Sequence, residues 1–247
     1  YNLKRAGEGE PRFAGLLRQI HDAVPELARI RFMTGYPKDV HEDLLQAFAE
    51  LPRLQPYIHM PVQSGSDAML AAMKRGYDRA LYVDRMHQLR AARPGLALTS
   101  DIIVGFPGET EEDFEDTLSL MREIRYDSVF SFTYSERPGT RAEGFADQVP
   151  DKIRRRRLVE LNALQDEITR SLLAECVGQT FEVMILGPST RDPDVLCGRT
   201  PHNRMVNFIG SGERGELVEV KVEAAGHHTL RGVQVGFEPN FGRAEVA

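Results

Sequence analysis

From residue 28 to residue 134 the chain alternates short apolar runs with stretches of helical periodicity, and each apolar run ends in glycine or polar residues. Residues 28–33, 57–62, 96–104 and 128–134 read as strands, whereas 12–24, 40–51, 67–73, 79–92 and 110–124 place apolar side chains at helical spacing. Strand followed by helix, repeated, is the rhythm of parallel βα units, because parallel neighbours must be joined by a crossover. In such sheets ligands gather at the carboxyl ends of the strands. The four ends here are Thr34-Gly35, Gln63-Ser64-Gly65-Ser66, Gly105-Phe106-Pro107-Gly108 and Ser135-Glu136-Arg137-Pro138-Gly139-Thr140. Four ends so equipped favour a binding cleft over plain turns.

A long helix is expected over 150–175, opened by Pro150-Asp151 and carrying Arg154, Arg155, Arg156 and Arg157. Beyond it the pattern changes to short strands at 180–186, 205–209, 216–222 and 230–235, which read as a small all-β barrel. The division is expected near residue 175, giving an α/β domain over 1–175 and a β domain over 176–247. The tail from Glu238 is expected to fray.

The chain has no apolar run of about eighteen residues, so no membrane span is expected. Its start is neither Met nor a secretory signal, which reads as a beginning inside a longer frame or a processed end. With two cysteines, Cys176 and Cys197, no disulfide scaffold is available, and a reducing cytoplasmic setting is expected. The net charge of −6 argues against a general nucleic-acid binder and confines any phosphate affinity to local patches. His59, His87, His227 and His228 show no metal-ligand spacing.

Residues Asp101-Ile-Ile-Val-Gly-Phe-Pro-Gly-Glu-Thr110 form the strongest local signal. Gly105 and Gly108 permit close backbone approach to a ligand, and the helix behind them offers free N–H groups. A strand-to-helix turn with a Pro-Gly corner accounts for the same residues, and spacing alone leaves both readings open. Gln63 and Ser64 have the chemistry to hydrogen-bond a ribose or an amino-acid group. Ser66 or Asp67 reads as a helix N-cap, with Asp67 the stronger candidate. Thr110 reads as the next N-cap, with Glu111, Glu112 and Asp113 suiting the positive end of the helix dipole.

Three blocks together, residues 60–67, 101–110 and 134–140, resemble in content, order and separation the methylthiotransferase branch of the radical-SAM superfamily. Residues 199–208 resemble the carboxyl-terminal TRAM domain of its tRNA-modifying (MiaB-like) subgroup. The resemblance runs to about Val235. Arg141 departs from it, standing where relatives often have Pro, which leaves the local loop shape open.

The resemblance implies an α/β fold: the last four strands of a six-stranded partial (β/α) barrel, then a TRAM barrel that binds RNA. It implies that the amino-terminal domain and the first two barrel strands are absent. An exposed sheet edge and self-association are then expected. It implies a transferase adding a methylthio group to a tRNA adenosine beside the anticodon, commonly one already isopentenylated. S-adenosylmethionine and two [4Fe–4S] clusters are the implied cofactors, with cluster ligands outside this chain. For the cofactor cleft it points to Thr34, Gln63, Ser64, Ser100, Asp101, Ile102, Gly105 and Phe106, with the backbone of 102–106 beside adenine. For RNA it points to Arg137, Arg154, Arg157, Arg199, Asn203 and Arg204. Against these stand structural readings: capped strand ends for Thr34 and Ser100, a solvated loop residue for Arg137, and pairing of the Arg154–Arg157 run with Asp151 and Glu160. Phe208 is expected in the barrel core. Two other functions fit the same blocks: an RNA-binding module without turnover, and a methylthiotransferase acting on a ribosomal protein.

Overall fold

The central strand of the first sheet, β2 (Ala97–Val104), is flanked by β1 (Tyr57–His59) and β3 (Ser128–Thr133), all parallel, in the order β1-β2-β3. The computed structural model describes residues 12–33, 35–136 and 138–237. Among the described residues, six α-helices accompany eight strands: α1 (Phe13–Ala23), α2 (Glu42–Glu50), α3 (Asp67–Ala72), α4 (Arg79–Ala92), α5 (Glu111–Ile124) and α6 (Asp151–Ala174). The chain divides into two compact units, residues 1–168 and 169–247.

In the first unit, apolar alternation on β2 buries Leu98, Ile102 and Val104 completely. From α4 come Tyr82, Met86 and Leu89, and from α5 come Phe114, Leu118, Met121 and Ile124, all buried. The two buried phenols of this layer are satisfied rather than orphaned. Tyr82 donates to the Met60 carbonyl at 2.8 Å, and Tyr126 donates to the Tyr82 oxygen at 3.0 Å. Helix α5 opens with a reciprocal capping box. The Thr110 hydroxyl accepts from the Asp113 N–H, and the Asp113 carboxylate accepts from the Thr110 N–H. Its other end is closed by Arg90, which donates to the carbonyls of Ile124 and Arg125.

Two expectations differ from what the first unit shows. Residues 28–33 form one bridge, Ile30 to Leu54, instead of a full strand. The ladder stops because the Tyr57 N–H, the next donor facing residues 28–33, turns back to the Gln55 carbonyl. The sheet therefore has three strands and a stub rather than four strands. The N-cap of α3 is Ser66, whose hydroxyl accepts from the Met69 N–H; Asp67 is the first helical residue and its carboxylate accepts from the Arg79 N–H at the start of α4.

In the second unit five strands close a barrel: β4 (Thr180–Pro188), β5 (Leu196–Arg199), β6 (Met205–Ile209), β7 (Leu217–Ala225) and β8 (Leu230–Gln234). Their order is β4-β5-β6-β8-β7, with β7 returning to β4; β6 and β8 run parallel and the other neighbours antiparallel. Closure removes free edges, which lets short strands form a stable sheet. Val183, Ile185, Val206, Phe208, Val220, Val222 and Leu230 fill it, with Leu173 and Cys176 at one end. Phe208 is in the core as expected. The β5 strand was not expected, because Leu-Cys-Gly-Arg carries no clear alternation.

Candidate functional site

A cleft of about 940 Å³ opens at the carboxyl ends of β1, β2 and β3 in the first unit. Its floor comes from Asp101 and Ile103 on β2 and from Phe132 and Thr133 on β3. Phe106, Tyr134 and Phe145 supply an aromatic wall; the Phe106 ring meets Tyr134 edge-on at 5.1 Å and Phe145 at 6.2 Å. Gln63 lines the cleft as well. Past β1 the chain leaves the ladder at Pro61 and returns with Gln63, whose N–H donates to the Asp101 carbonyl and whose carbonyl accepts from Ile103, both at 2.9 Å. Gln63 holds φ at 77°, a left-handed conformation that a non-glycine residue keeps only when its surroundings enforce it.

Strand parity sorts the expected cofactor residues. Asp101 and Ile103 face the cleft; Ser100, Ile102 and Val104 face the helices. Ser100 is fully buried, donating to the Met60 carbonyl and accepting from the Val62 N–H, so it fastens the β1 extension to β2. Ser64 is also fully buried, bonded to Thr117 and to the Ser66 N–H. Neither hydroxyl reaches the cleft, and the Ile102 side chain does not either. Gly105, at φ 73°, backs onto Arg154: a Cβ there would lie 2.2 Å from Arg154 Cγ. Its N–H donates to the buried Glu109 carboxylate at 2.6 Å, which shapes the loop. Gln63, Asp101 and Phe106 are thus the expected cofactor residues that the fold brings together on the cleft. Thr34 and Arg137 lie outside the described residues, as does the tail from Glu238.

Sequence reasoning missed a polar chain on the same sheet face. Tyr57 Oη and His59 Nδ1 share hydrogen bonds with Thr99 Oγ1, at 3.1 and 2.9 Å, and His59 Nε2 lies 3.4 Å from the Asp101 carboxylate. The Phe130 ring closes over His59 edge-on at 6.0 Å. The signal was the register: Tyr57 and His59 share a face, and parallel pairing brings Thr99 beside His59. Ile103 and Phe132 follow from the same parity.

The arginine run at the start of α6 is engaged within the first unit. Arg154 donates to the Tyr134 carbonyl at 2.9 Å. Arg155 pairs with Asp151 and Arg156 with Glu111, each at 2.6 Å. Arg157 is only 3% exposed; it pairs with buried Glu109 at 2.6 Å, reaches Glu111 at 3.0 Å and covers the Phe114 ring. The expectation that Arg157 contacts RNA is corrected: its guanidinium neutralises a buried carboxylate and is withheld from solvent. Arg154 is half-buried and serves the cleft wall through Tyr134. Burial pushes the Glu109 carboxyl up, against the Gly105 N–H and Arg157 that hold it down. Glu111 is held below the ordinary carboxylate value by hydrogen bonds from Arg156 and Arg157.

In the second unit Arg199, Asn203 and Arg204 meet on the hairpin between β5 and β6. Arg199 donates to the Asn203 carbonyl at 2.8 Å and to its side-chain oxygen at 3.2 Å; Asn203 takes φ 66°. Arg204 donates to Cys176 Sγ at 3.0 Å. All three are partly exposed, so a rigid polar turn remains presented to solvent.

The residues fit one implied cofactor and not the other. The cleft combines aromatic walls with a side-chain amide and a carboxylate, the donor set that suits an adenosyl group carrying hydroxyls and an ammonium. For an iron–sulfur cluster the chain offers Cys176, buried in the barrel core, and Cys197 on β5, whereas clusters take closely spaced thiolates. Among the described residues no group of three His, Cys, Asp or Glu is arranged to hold a metal ion, and no helix is long and apolar enough to cross a membrane.

The family model of the Radical SAM superfamily matches residues 7–121, and that of the TRAM domain matches residues 174–235. Three proteins called tRNA-2-methylthio-N(6)-dimethylallyladenosine synthase are similar to the chain. That of Nitrosomonas eutropha is 44% identical, over 94% of this chain and 52% of its own length. That of Bordetella pertussis is 45% identical, over 94% and 52%. That of Geobacter sulfurreducens is 48% identical, over 94% and 51%. The chain spans about half the length of these curated relatives. Coproporphyrinogen III oxidase from Escherichia coli, described as a Radical SAM enzyme, shares the fold at a TM-score of 0.50 with 16% identity, over 75% of this chain and 51% of that one. A parallel sheet with a cleft at its carboxyl ends, followed by a closed β-barrel, is thus a radical-SAM segment joined to a TRAM domain. Over 94% of its length the chain is similar to proteins called tRNA-2-methylthio-N(6)-dimethylallyladenosine synthase.

Proposed function

We propose that a protein carrying this chain is a tRNA methylthiotransferase that modifies an adenosine, commonly isopentenylated, beside the anticodon. The observation that carries the reading is the cleft itself, lined by Gln63 from beyond β1 and by Asp101 and Phe106 from β2 and the loop that follows it. S-adenosylmethionine is the cofactor we assign to it, supplying the radical when cleaved. Phe106 offers adenine an apolar edge, Gln63 offers a donor and an acceptor, and Asp101 offers a carboxylate fixed by His59. Apolar walls exclude water from the reacting region.

In this reading the α/β domain runs to residue 175 and the TRAM domain from 176. Arg199, Asn203 and Arg204 meet RNA, and Arg137 and Thr34 complete the loops at the strand ends. Two [4Fe–4S] clusters belong to the whole protein, which works in the cytoplasm. The two scattered cysteines favour a second reading of the isolated chain, as an RNA-binding module without turnover.

Anaerobic reconstitution tests both. The full-length protein should acquire iron and sulfide and methylthiolate tRNA, leaving ribosomal protein untouched, while the 247-residue chain should acquire no stoichiometric cluster. Modification of ribosomal protein in place of tRNA would overturn the substrate assignment. A stable cluster on the chain alone would overturn the module reading.

A further inference from the structure

The basic run at 154–157 is engaged by carboxylates and carbonyls, and a different set of cations stands at the cleft mouth. Lys74 and Arg75 line the cleft just past α3. Lys38 joins them: its Nζ lies 3.9 Å from the point a Cβ on Gly76 would occupy. No carboxylate pairs with any of the three among the described residues. In a chain with 37 acidic and 31 basic residues, such a group is held together against its own repulsion.

The backbone that presents it is built for the purpose. Lys74 holds φ 55° and Gly76 φ 69°, so two left-handed residues flank Arg75. The Arg75 N–H donates to the Leu70 carbonyl at 2.9 Å, and the Tyr36 hydroxyl donates to the Arg75 carbonyl. Buried Tyr77 ties the loop to the β1 extension, its hydroxyl lying 3.1 Å from the carbonyls of both Pro61 and Val62. Arg75 Nε in turn donates to that hydroxyl, and the guanidinium carbon sits 5.7 Å above the Tyr77 ring. Arg75 is thereby oriented, while the exposed Lys74 and Lys38 extend the charge outward.

We propose that Lys38, Lys74 and Arg75 bind phosphodiester groups of the RNA strand beside the base that enters the cleft. The inference rests on the tRNA reading and adds where the strand is gripped. A phosphodiester fits better than a small-molecule carboxylate because the cations run outward from the cleft past Gly76, where one carboxylate could not engage them all.

The test measures binding of an anticodon stem-loop RNA to the 247-residue chain across a salt series, using fluorescence anisotropy. Each lost single-strand phosphate contact should reduce the slope of log K against log salt by about 0.7. The Lys38→Gln/Lys74→Gln variant changes exposed side chains only, and should lower the slope by about 1.4 without altering the melting temperature. Lys152→Gln, on α6, makes the same kind of charge change elsewhere and should leave the slope unaltered. Equal slopes for wild type and the double variant would overturn the proposal, as would an equal per-charge effect from Lys152→Gln. So would loss of S-adenosylmethionine affinity in the full-length double variant with RNA binding intact, which would place a cofactor carboxylate there. If neither the chain nor the full-length wild type binds the stem-loop, the tRNA reading itself fails and takes this inference with it.

Discussion

Ser100 and Arg157 show how the direction a side chain faces decides between ligand binding and scaffolding. Ser100 and Asp101 are neighbours in sequence, yet one fastens strands and the other faces the cleft. Removing the Ser100 hydroxyl leaves the buried Val62 N–H without its acceptor. Ser100→Ala should therefore lower unfolding free energy by about 2 kcal/mol in urea titration and leave S-adenosylmethionine affinity of the full-length protein unchanged. Weakened cofactor binding with unaltered stability would reverse the assignment. Arg157→Ala leaves buried Glu109 uncompensated and should cost about 3 kcal/mol or more, read from the same titration. A neutral result would show that the pair contributes nothing at this site. Sequence identified both residues as noteworthy but not their direction, because side-chain facing follows from strand register and burial.

At the level of elements, α5 is the best-determined piece. Thr110 as N-cap and the acidic first turn were legible directly, since both follow from local chemistry at a helix end. Burial works to raise the Asp113 carboxyl, but hydrogen bonds from Ser66 and from the Thr110 N–H and hydroxyl outweigh it and hold it below the ordinary aspartate value of 3.8. A depressed folded value means stabilisation that is present above 3.8 and lost as pH falls through the folded value. Asp113→Asn should lower stability at neutral pH and remove that part of the acid-limb loss, seen as a flatter stability curve below pH 3.8. Superimposable acid limbs would contradict the assignment. The strand at 28–33 and β5 were misjudged for long-range reasons. The Tyr57 N–H, turned back to Gln55, ended the first ladder, and barrel closure recruited a second strand with little propensity of its own.

For the whole molecule, the βα rhythm and the change to short strands made both units legible. What sequence left open was how the cleft is lined, because Ile103, Phe132, Lys74 and Arg75 reach it through pairing and loop conformation rather than through a motif. On β3, an outer strand of its sheet, Phe130 and Phe132 are each about half exposed, at 52% and 53%. Such a strand invites pairing with another chain. Light scattering of the chain should show dimers or larger species; a monodisperse monomer would contradict self-association. The proposed role of the cleft is methylthiolation of tRNA. It is tested most directly by mass spectrometry of nucleosides from isopentenylated tRNA incubated with the reconstituted full-length protein and S-adenosylmethionine. Wild type should give methylthiolated adenosine, with product formation at least about tenfold slower from Asp101→Asn at limiting cofactor, matching the loss of one charged hydrogen bond. Wild-type protein that yields no methylthiolated adenosine, or an Asp101→Asn variant as active as wild type, would contradict it.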